Sequence, residues 1–506
     1  MLCVRSVTKR DMYARLGWLV RVNRRYGACR LGTLAETARA FRQKGHISPS
    51  VSTLSRWESG RVPLTHSRIA AYERALGLPQ HALTAVADVW IRYATATTNS
   101  PSTLVRQSPQ HRVLDHLLES AIGSGPVTGA DWHDMTVALA AEPRALLSPR
   151  SAWGELVSRL VMEANVSDGL QWMLRTEALS RLLTHPVGQD VAISTVQAIA
   201  LDRSTHSMAG TVSALEATRH SSANSAVVRL AVHPVDDRIF HGAVMAAVRK
   251  VRDGHFTPPQ LTALVAALVD RGDDLGAGQD LRSLVDYLIA MASRRCSATE
   301  PKRARVEQLV NLAWAHLGAD PDPADDAILR EIITEMLYHQ VDDVRLFATY
   351  LLWGTPYRGP LAEALTHELR AELARHNARR VSALLEVLRV LGGPNQRRLV
   401  EKLLLTGGLD PGSRVMVAST LAHIGGRSPD LFWQEATRLS VERWRFADRS
   451  AGEAAVVHRL AYALGMTGQV RLLKQMRFTR DLPIAARVAA AWWLDLPPHI
   501  TAGVRQ

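Results

Sequence analysis

Residues Ile47–Gly60 read ISPSVSTLSRWESG, and the division of this stretch into two unlike faces decides the fold. Ser48 can cap a helix, Pro49 suits a first helical position, and Gly60 can take the left-handed conformation past the last turn. That punctuation predicts a helix of about ten residues. At about 100° per residue, Val51, Leu54 and Trp57 form an apolar stripe, while Ser52 and Arg56 lie opposite, flanked by Thr53 and Ser59. Small hydroxyl side chains around one arginine allow close approach to a groove floor. The arginine itself can bridge O6 and N7 of a guanine or take a phosphate.

Helical patterns continue on both sides. Upstream, a helix begins at Asp11 with Leu16, Leu19, Val20 and Asn23 on one face and ends near Gly27. Arg21, Arg24 and Arg25 stand on its last turns, where cations complement the helix's negative end and can meet a phosphate. A second helix is predicted over Thr33–Gln43, capped by Thr33, with Leu34, Ala38 and Phe41 inward and Gly45 as its stop. Downstream, Thr65–Leu76 carries Ile69, Tyr72 and Leu76 inward, and Gln80–Tyr93 carries Leu83, Val86, Ala87, Trp90 and Ile91. Residues 1–94 thus read as a five-helix block.

The charge of the 506-residue chain is concentrated in this block. Residues 1–94 hold 16 Lys+Arg against 5 Asp+Glu, a net of +11, while the remaining 412 carry only +2 of the total +13. A small basic block on a near-neutral body fits a polyanion-binding head, although a solvated basic surface has the same charge. Lysine occurs at only six positions, leaving 55 arginines, an imbalance that reads as genome composition rather than mechanism.

The stretch Thr53–Pro63 (TLSRWESGRVP), followed by Ile69-Ala70-Ala71-Tyr72 and Ala75-Leu76-Gly77-Leu78-Pro79, resembles the phage-repressor/Cro (XRE) helix-turn-helix family. That family has a Ser-rich recognition helix closed by Glu-x-Gly, then a helix ending in Ala-Leu-Gly, and Leu34-Ala35 is similar to the pair in its positioning helix. The resemblance covers residues 11–94. It implies that the third helix enters the major groove of double-stranded DNA and that dimers read paired half-sites. It further implies base-edge roles for Ser52, Thr53, Ser55 and Arg56 and a phosphate contact at Arg61. One departure stands out: Ala35 and Thr53 are 18 positions apart, where the family has a short turn. The extra segment Arg39–Ser48 must lengthen the second helix or form a loop. In either form it offers Arg39, Arg42 and Lys44, with His46, to phosphate.

Beyond the block, residues 95–110 (TATTNSPSTLVRQSPQ) are polar and lack apolar periodicity, as in a linker. Helix follows helix after that, at His111–Ile122, Ala130–Ala140, Ser151–Ala164, Gln171–Thr184 and Val191–Leu201, with almost no strand signal. The expected fold class is all-α, with residues 111–300 an irregular helical region and 301–506 a series of helical repeats. Gly354, Gly392, Gly425 and Gly465 close helices at intervals of 38, 33 and 40, and Arg345, Arg380, Arg414 and Arg487 open apolar ones. In those units Leu346, Val381, Val415 and Val488 follow the arginine, and Leu352, Val387, Leu421 and Leu494 lie six further on. Such periods resemble HEAT-like or tetratricopeptide-like α-solenoids, whose paired helices bury their apolar faces only against neighbouring pairs.

Several function classes are disfavoured. No stretch approaches 18 apolar residues, Met1–Arg10 lacks a secretion-signal core, and Cys3, Cys29 and Cys296 are too scattered for disulfides. A cytoplasmic protein without membrane contact is expected. His185, His206, His220, His233, His241 and His255 are dispersed, so no metal is expected there. Asp320–Asp326 (DPDPADD) lacks the glycine and closing glutamate of a calcium loop and reads as helix capping. Trp132, Trp153, Trp172, Trp314, Trp492 and Trp493 read as core or inter-repeat packing. No phosphate loop, nucleophile elbow or nucleophile–base pair occurs, so neither an enzyme nor a cofactor is expected.

The reading is therefore a sequence-specific DNA-binding regulator, expected as a homodimer, whose repeats serve dimerisation, a protein or peptide partner, or effector sensing. The layout resembles large developmental regulators of sporulating actinobacteria (NsdA-like proteins). Rival readings are a peptide-responsive regulator, a helical-repeat DNA-repair enzyme and a scaffold with a vestigial head.

Overall fold

The computed structural model describes residues 9–45, 47–94, 111–202, 209–272, 285, 288, 303–317, 322–339 and 341–502. Among them the chain is all-α, with 26 α-helices and no strand. They divide into two compact units, one within Met1–Pro301, Tyr338–Phe347 and Pro498–Gln506, the other within Lys302–Leu337 and Ala348–Pro497. The expected linker at 95–110 lies outside the described residues, as do His46 and His206.

The first unit opens with α1 (Lys9–Tyr26), α2 (Leu34–Ala40), α3 (Val51–Glu58), α4 (His66–Leu76) and α5 (Ala82–Ala94). α1 is buried nearly all round, with Leu16, Trp18, Leu19, Val20 and Val22 in the core, and α3, α4 and α5 pack against it. α2 begins with a full capping box: Thr33 accepts from the Glu36 amide at 3.1 Å, and Glu36 accepts from the Thr33 amide at 2.9 Å. The extra segment after Ala35 lengthens this helix. α2 runs on into a π-helical turn, Phe41–Gly45, which packs on α4 and buries Phe41 edge-on against Tyr72. Of the residues predicted to face inward on α2, Leu34 is only half-buried.

α6 (His111–Ile122), α7 (Gly129–Ala141), α8 (Ala152–Asn165), α9 (Gly169–Thr184), α10 (Gln189–Leu201), α11 (Ala209–Ser213), α12 (Ser221–Val232), α13 (Asp237–Arg252) and α14 (Pro258–Gly272) complete the described helices of this stretch. The bounds of α6 to α10 fall within two residues of those predicted, because caps and 3.6-residue periodicity act over a single turn. The five-helix block is not a separate body: α5 packs on α9. Arg92 of α5 is paired with Glu177 at 2.7 Å and with Glu216, and Asp88 is paired with Arg181.

Further on come α15 (Arg303–Leu317), α16 (Pro323–Tyr338), α17 (Asp342–Trp353), α18 (Arg358–Ala374), α19 (Ala378–Leu391), α20 (Pro394–Leu405), α21 (Pro411–His423), α22 (Asp430–Phe446), α23 (Ala451–Met466), α24 (Val470–Phe478), α25 (Ile484–Asp495) and α26 (Pro498–Ala502). α18 packs on α19, α20 on α21, α22 on α23 and α24 on α25, and α19, α21, α23 and α25 stack in turn on one another. Leu352, Val387 and Leu421 are buried at the predicted register, whereas Val488 is exposed. Gly465 departs from prediction: it lies inside α23 rather than ending it, and a Cβ there would overlap the Trp493 ring.

Arginine closes many of these helices. Arg358 donates to Leu391 O at 3.1 Å, Arg397 to Ile424 O at 2.7 Å, and Arg443 to Leu404 and Leu405 O at 3.0 and 2.8 Å. Arg159 likewise gathers the carbonyls of Ser120, in the last turn of α6, and of Gly123 and Gly125 just past it. The five-donor guanidinium satisfies several orphan carbonyls at once, which an ammonium does less well. The arginine excess therefore has a structural use beyond genome composition.

Candidate nucleic-acid interface

α3 is built by its neighbours. Ser50, not Ser48, is its cap, with Oγ accepting from the Thr53 amide at 3.2 Å, so the helix starts at Val51 and Pro49 precedes the cap. As the first helical residue, Val51 lies beyond the reach of the core and is 47% exposed, contrary to the predicted stripe. Leu54 and Trp57 do face inward, each worth about 1.5–3 kcal/mol of burial. The Arg68 guanidinium covers the Trp57 ring at 4.9 Å and donates to Pro63 O at 2.6 Å, fixing the turn into α4.

The C-terminus of α3 is held from three sides. Arg24 of α1 donates to both carboxylate oxygens of Glu58, at 2.7 and 2.8 Å, and Tyr72 of α4 donates to the same carboxylate at 3.2 Å. Arg21 reaches the Glu58 carbonyl at 2.9 Å. Burial, reinforced by the neighbouring Glu58 charge, raises the Tyr72 hydroxyl well above the usual phenol range. Two glycines let the backbones touch. A Cβ at Gly17 would stand 2.7 Å from the Trp57 carbonyl, and one at Gly60, whose φ is +69°, would meet the Ala14 amide at 2.6 Å. The Glu-Ser-Gly ending thus supplies both a buried counter-ion and a left-handed close approach.

This clamp turns the opposite face outward. Ser52, Ser55 and Arg56 are exposed and Thr53 half-exposed, with Ser50 and Ser52 hydroxyls 3.0 Å apart and Arg56 Nε resting 3.4 Å from Ser52 O. Arg61 is exposed in the following turn, and Arg39, Arg42 and Lys44 are exposed along the lengthened second helix. Arg24 requires correction. Its side chain is buried against Glu58, and it also donates to Leu31 O at 2.7 Å, so it is a structural cation out of reach of a phosphate. Arg25 is half-buried, its guanidinium 5.1 Å from the Tyr26 ring centre.

Sequence reasoning missed the positioning roles of Gly17, Glu58 and Arg68, and it read Tyr72 only as a core residue and Arg21 only as a cation able to meet phosphate. Glu58 carried the one usable signal, a carboxylate inside a strongly basic block beside an apolar stripe. Among the described residues no helix is long and apolar enough to cross a membrane. Comparison with protein-family models, with curated proteins and with solved structures finds no match for the chain.

Proposed function

We propose that residues 11–94 act as a helix-turn-helix module of the phage-repressor/Cro type, and that the chain is a sequence-specific transcriptional regulator of double-stranded DNA. The observation that carries the reading is the two-sidedness of α3, whose Leu54, Trp57 and Glu58 face is clamped while Ser52, Ser55 and Arg56 face solvent. A groove-reading helix needs both: a rigid seat on one side, and short donors with a forked cation on the other. The net +11 of residues 1–94 supplies the counter-charge for phosphate. In this reading Ser52, Thr53, Ser55 and Arg56 meet base edges, while Arg61, Arg39, Arg42 and Lys44 meet phosphates.

The stack from α18 to α25 is proposed as a solenoid of HEAT- or tetratricopeptide-like pairs that serves homodimerisation or a protein or peptide partner. The exposed side chains of Leu431, Phe446, Phe478 and Ile484 support a partner-binding role, since large apolar groups left in water favour association. The chain is proposed to act in the cytoplasm, on the bacterial nucleoid.

The test is selection of bound sequences from random duplex DNA with the full chain, because α5 buries charged groups against α9. Enrichment of a motif with half-sites about one helical turn apart, or a multiple of it, is expected. Arg56→Ala should relax preference at one position by about 1–3 kcal/mol. Absence of enrichment together with salt-independent affinity would refute the reading.

A further inference from the structure

A second constellation lies in the same unit, where the turn between α4 and α5 meets α7. His81 sits in that turn with φ +62°, a left-handed conformation unusual for a residue bearing a side chain. Glu73 of α4 holds it there. The Glu73 carboxylate accepts the amides of His81, Leu83 and Thr84 at 3.1, 2.8 and 2.8 Å, and the Thr84 hydroxyl at 3.0 Å. Strained backbone maintained by its surroundings recurs where a side chain must be aimed.

The His81 ring is aimed at α7. It lies over the His133 ring with centroids 4.3 Å apart, and its Nε2 is 3.1 Å from Asp134 Oδ1. One donor atom each from His81, His133 and Asp134 lies within 4.8 Å of the other two. His133 is only 3% exposed, yet its Nδ1 has no hydrogen-bond partner, nor has Nδ1 of His81. Asp88, which accepts from His66 at 2.6 Å and pairs with Arg181, stands behind His133, with Oδ2 3.7 Å from Nδ1.

We propose that His81, His133 and Asp134 bind one divalent transition-metal ion of the zinc class. Two imidazoles and one carboxylate suit zinc, cobalt or nickel better than magnesium or calcium, which prefer all-oxygen shells. Metal–donor bonds of about 2.0–2.2 Å place tetrahedral donor atoms about 3.4 Å apart, so a small inward closure completes the site. Asp88 faces Nδ1 of His133, the position of a carboxylate that orients a ligating imidazole through its second nitrogen and leaves Nε2 for the metal. Asp134, with a side chain 48% exposed, gives the ion an entrance and leaves a fourth position for water. His66 is already engaged with Asp88 and is not a ligand. The ion would tie the start of α5 to α7, a link that does not depend on DNA binding.

The test uses the full chain stripped with a chelator. Equilibrium dialysis with Co2+, read by elemental analysis, should give one ion per chain, and visible absorption should have the intensity of a four-coordinate site. Zn2+ should displace it and raise the unfolding temperature. His81→Gln and Asp134→Asn change residues at the site's outer side and should each weaken Co2+ binding by at least about 100-fold, more than loss of an outer-shell partner costs. Their far-UV circular dichroism should be unchanged, and His316→Gln, an exposed histidine elsewhere, should bind like the parent. Failure of the parent to bind stoichiometrically overturns the proposal, and so does full binding by both site variants.

Discussion

Arg24 and Glu58, 34 residues apart, meet inside the protein through a two-point ion pair, Nε to Oε1 at 2.7 Å and Nη2 to Oε2 at 2.8 Å. This pair joins the last turns of α1 and α3. It makes Arg24 a structural cation, which Arg21 joins in holding α3 through the Glu58 carbonyl, while Arg25 is half-buried beside Tyr26. Removing the cation leaves a buried carboxylate with Tyr72 as its remaining side-chain donor. Arg24→Met should therefore cost about 3–5 kcal/mol of unfolding free energy by denaturant titration, the range for breaking a buried pair from one side. An unchanged midpoint would show that the pair contributes nothing to stability.

Arg39, Arg42 and Lys44 are exposed, and their proposed phosphate role makes a different forecast. Each single change to Ala should reduce the slope of log affinity against log salt by about one, uniformly across DNA sequences, with no loss of stability. Arg56→Ala should instead act on preference. A salt slope unmoved by all three variants would remove this segment from the interface.

Gly465 and Trp493 make a contact that only glycine permits. Gly465→Ala should lose about 1–3 kcal/mol through overpacking. Trp493→Leu should lose stability alone but partly rescue Gly465→Ala, giving a coupling energy of opposite sign to the single effects. Strict additivity in calorimetry would rule out the contact.

Lys250 is fully buried, its Nζ donating to Thr218 O at 2.6 Å and Asn224 Oδ1 at 2.7 Å. Burial, with the Arg249 charge adding to it, brings the amine down to about 7 from its ordinary 10.5. Above pH 7 the folded chain holds the neutral amine while the unfolded chain remains protonated up to about 10.5, so the unfolded state binds more protons. This group's contribution to stability therefore rises with pH across that window, by up to about 1.4 kcal/mol per unit. The difference between wild type and Lys250→Met, followed by urea unfolding from pH 6 to 10 (about the range that brackets the window), should show this slope. A flat difference would mean the amine is neutral or charged in both states alike.

Helix positions, the Thr33 cap and the inward Leu54, Ile69, Tyr72 and Trp57 were legible in the amino-acid order, because caps and periodicity are settled within one or two turns. So was the exposure of Ser52, Ser55 and Arg56, which follows once Leu54 and Trp57 turn inward. The tertiary structure alone decided that Arg24 is an internal counter-ion, that Val51 stays in water, and that Gly465 is a packing site rather than a helix end. It also brought His81 to His133 and Asp134 across some fifty residues of chain. Local order sets which face of a helix is apolar. Which distant group meets a charge or an imidazole depends on how whole helices approach, and no spacing along the chain records that.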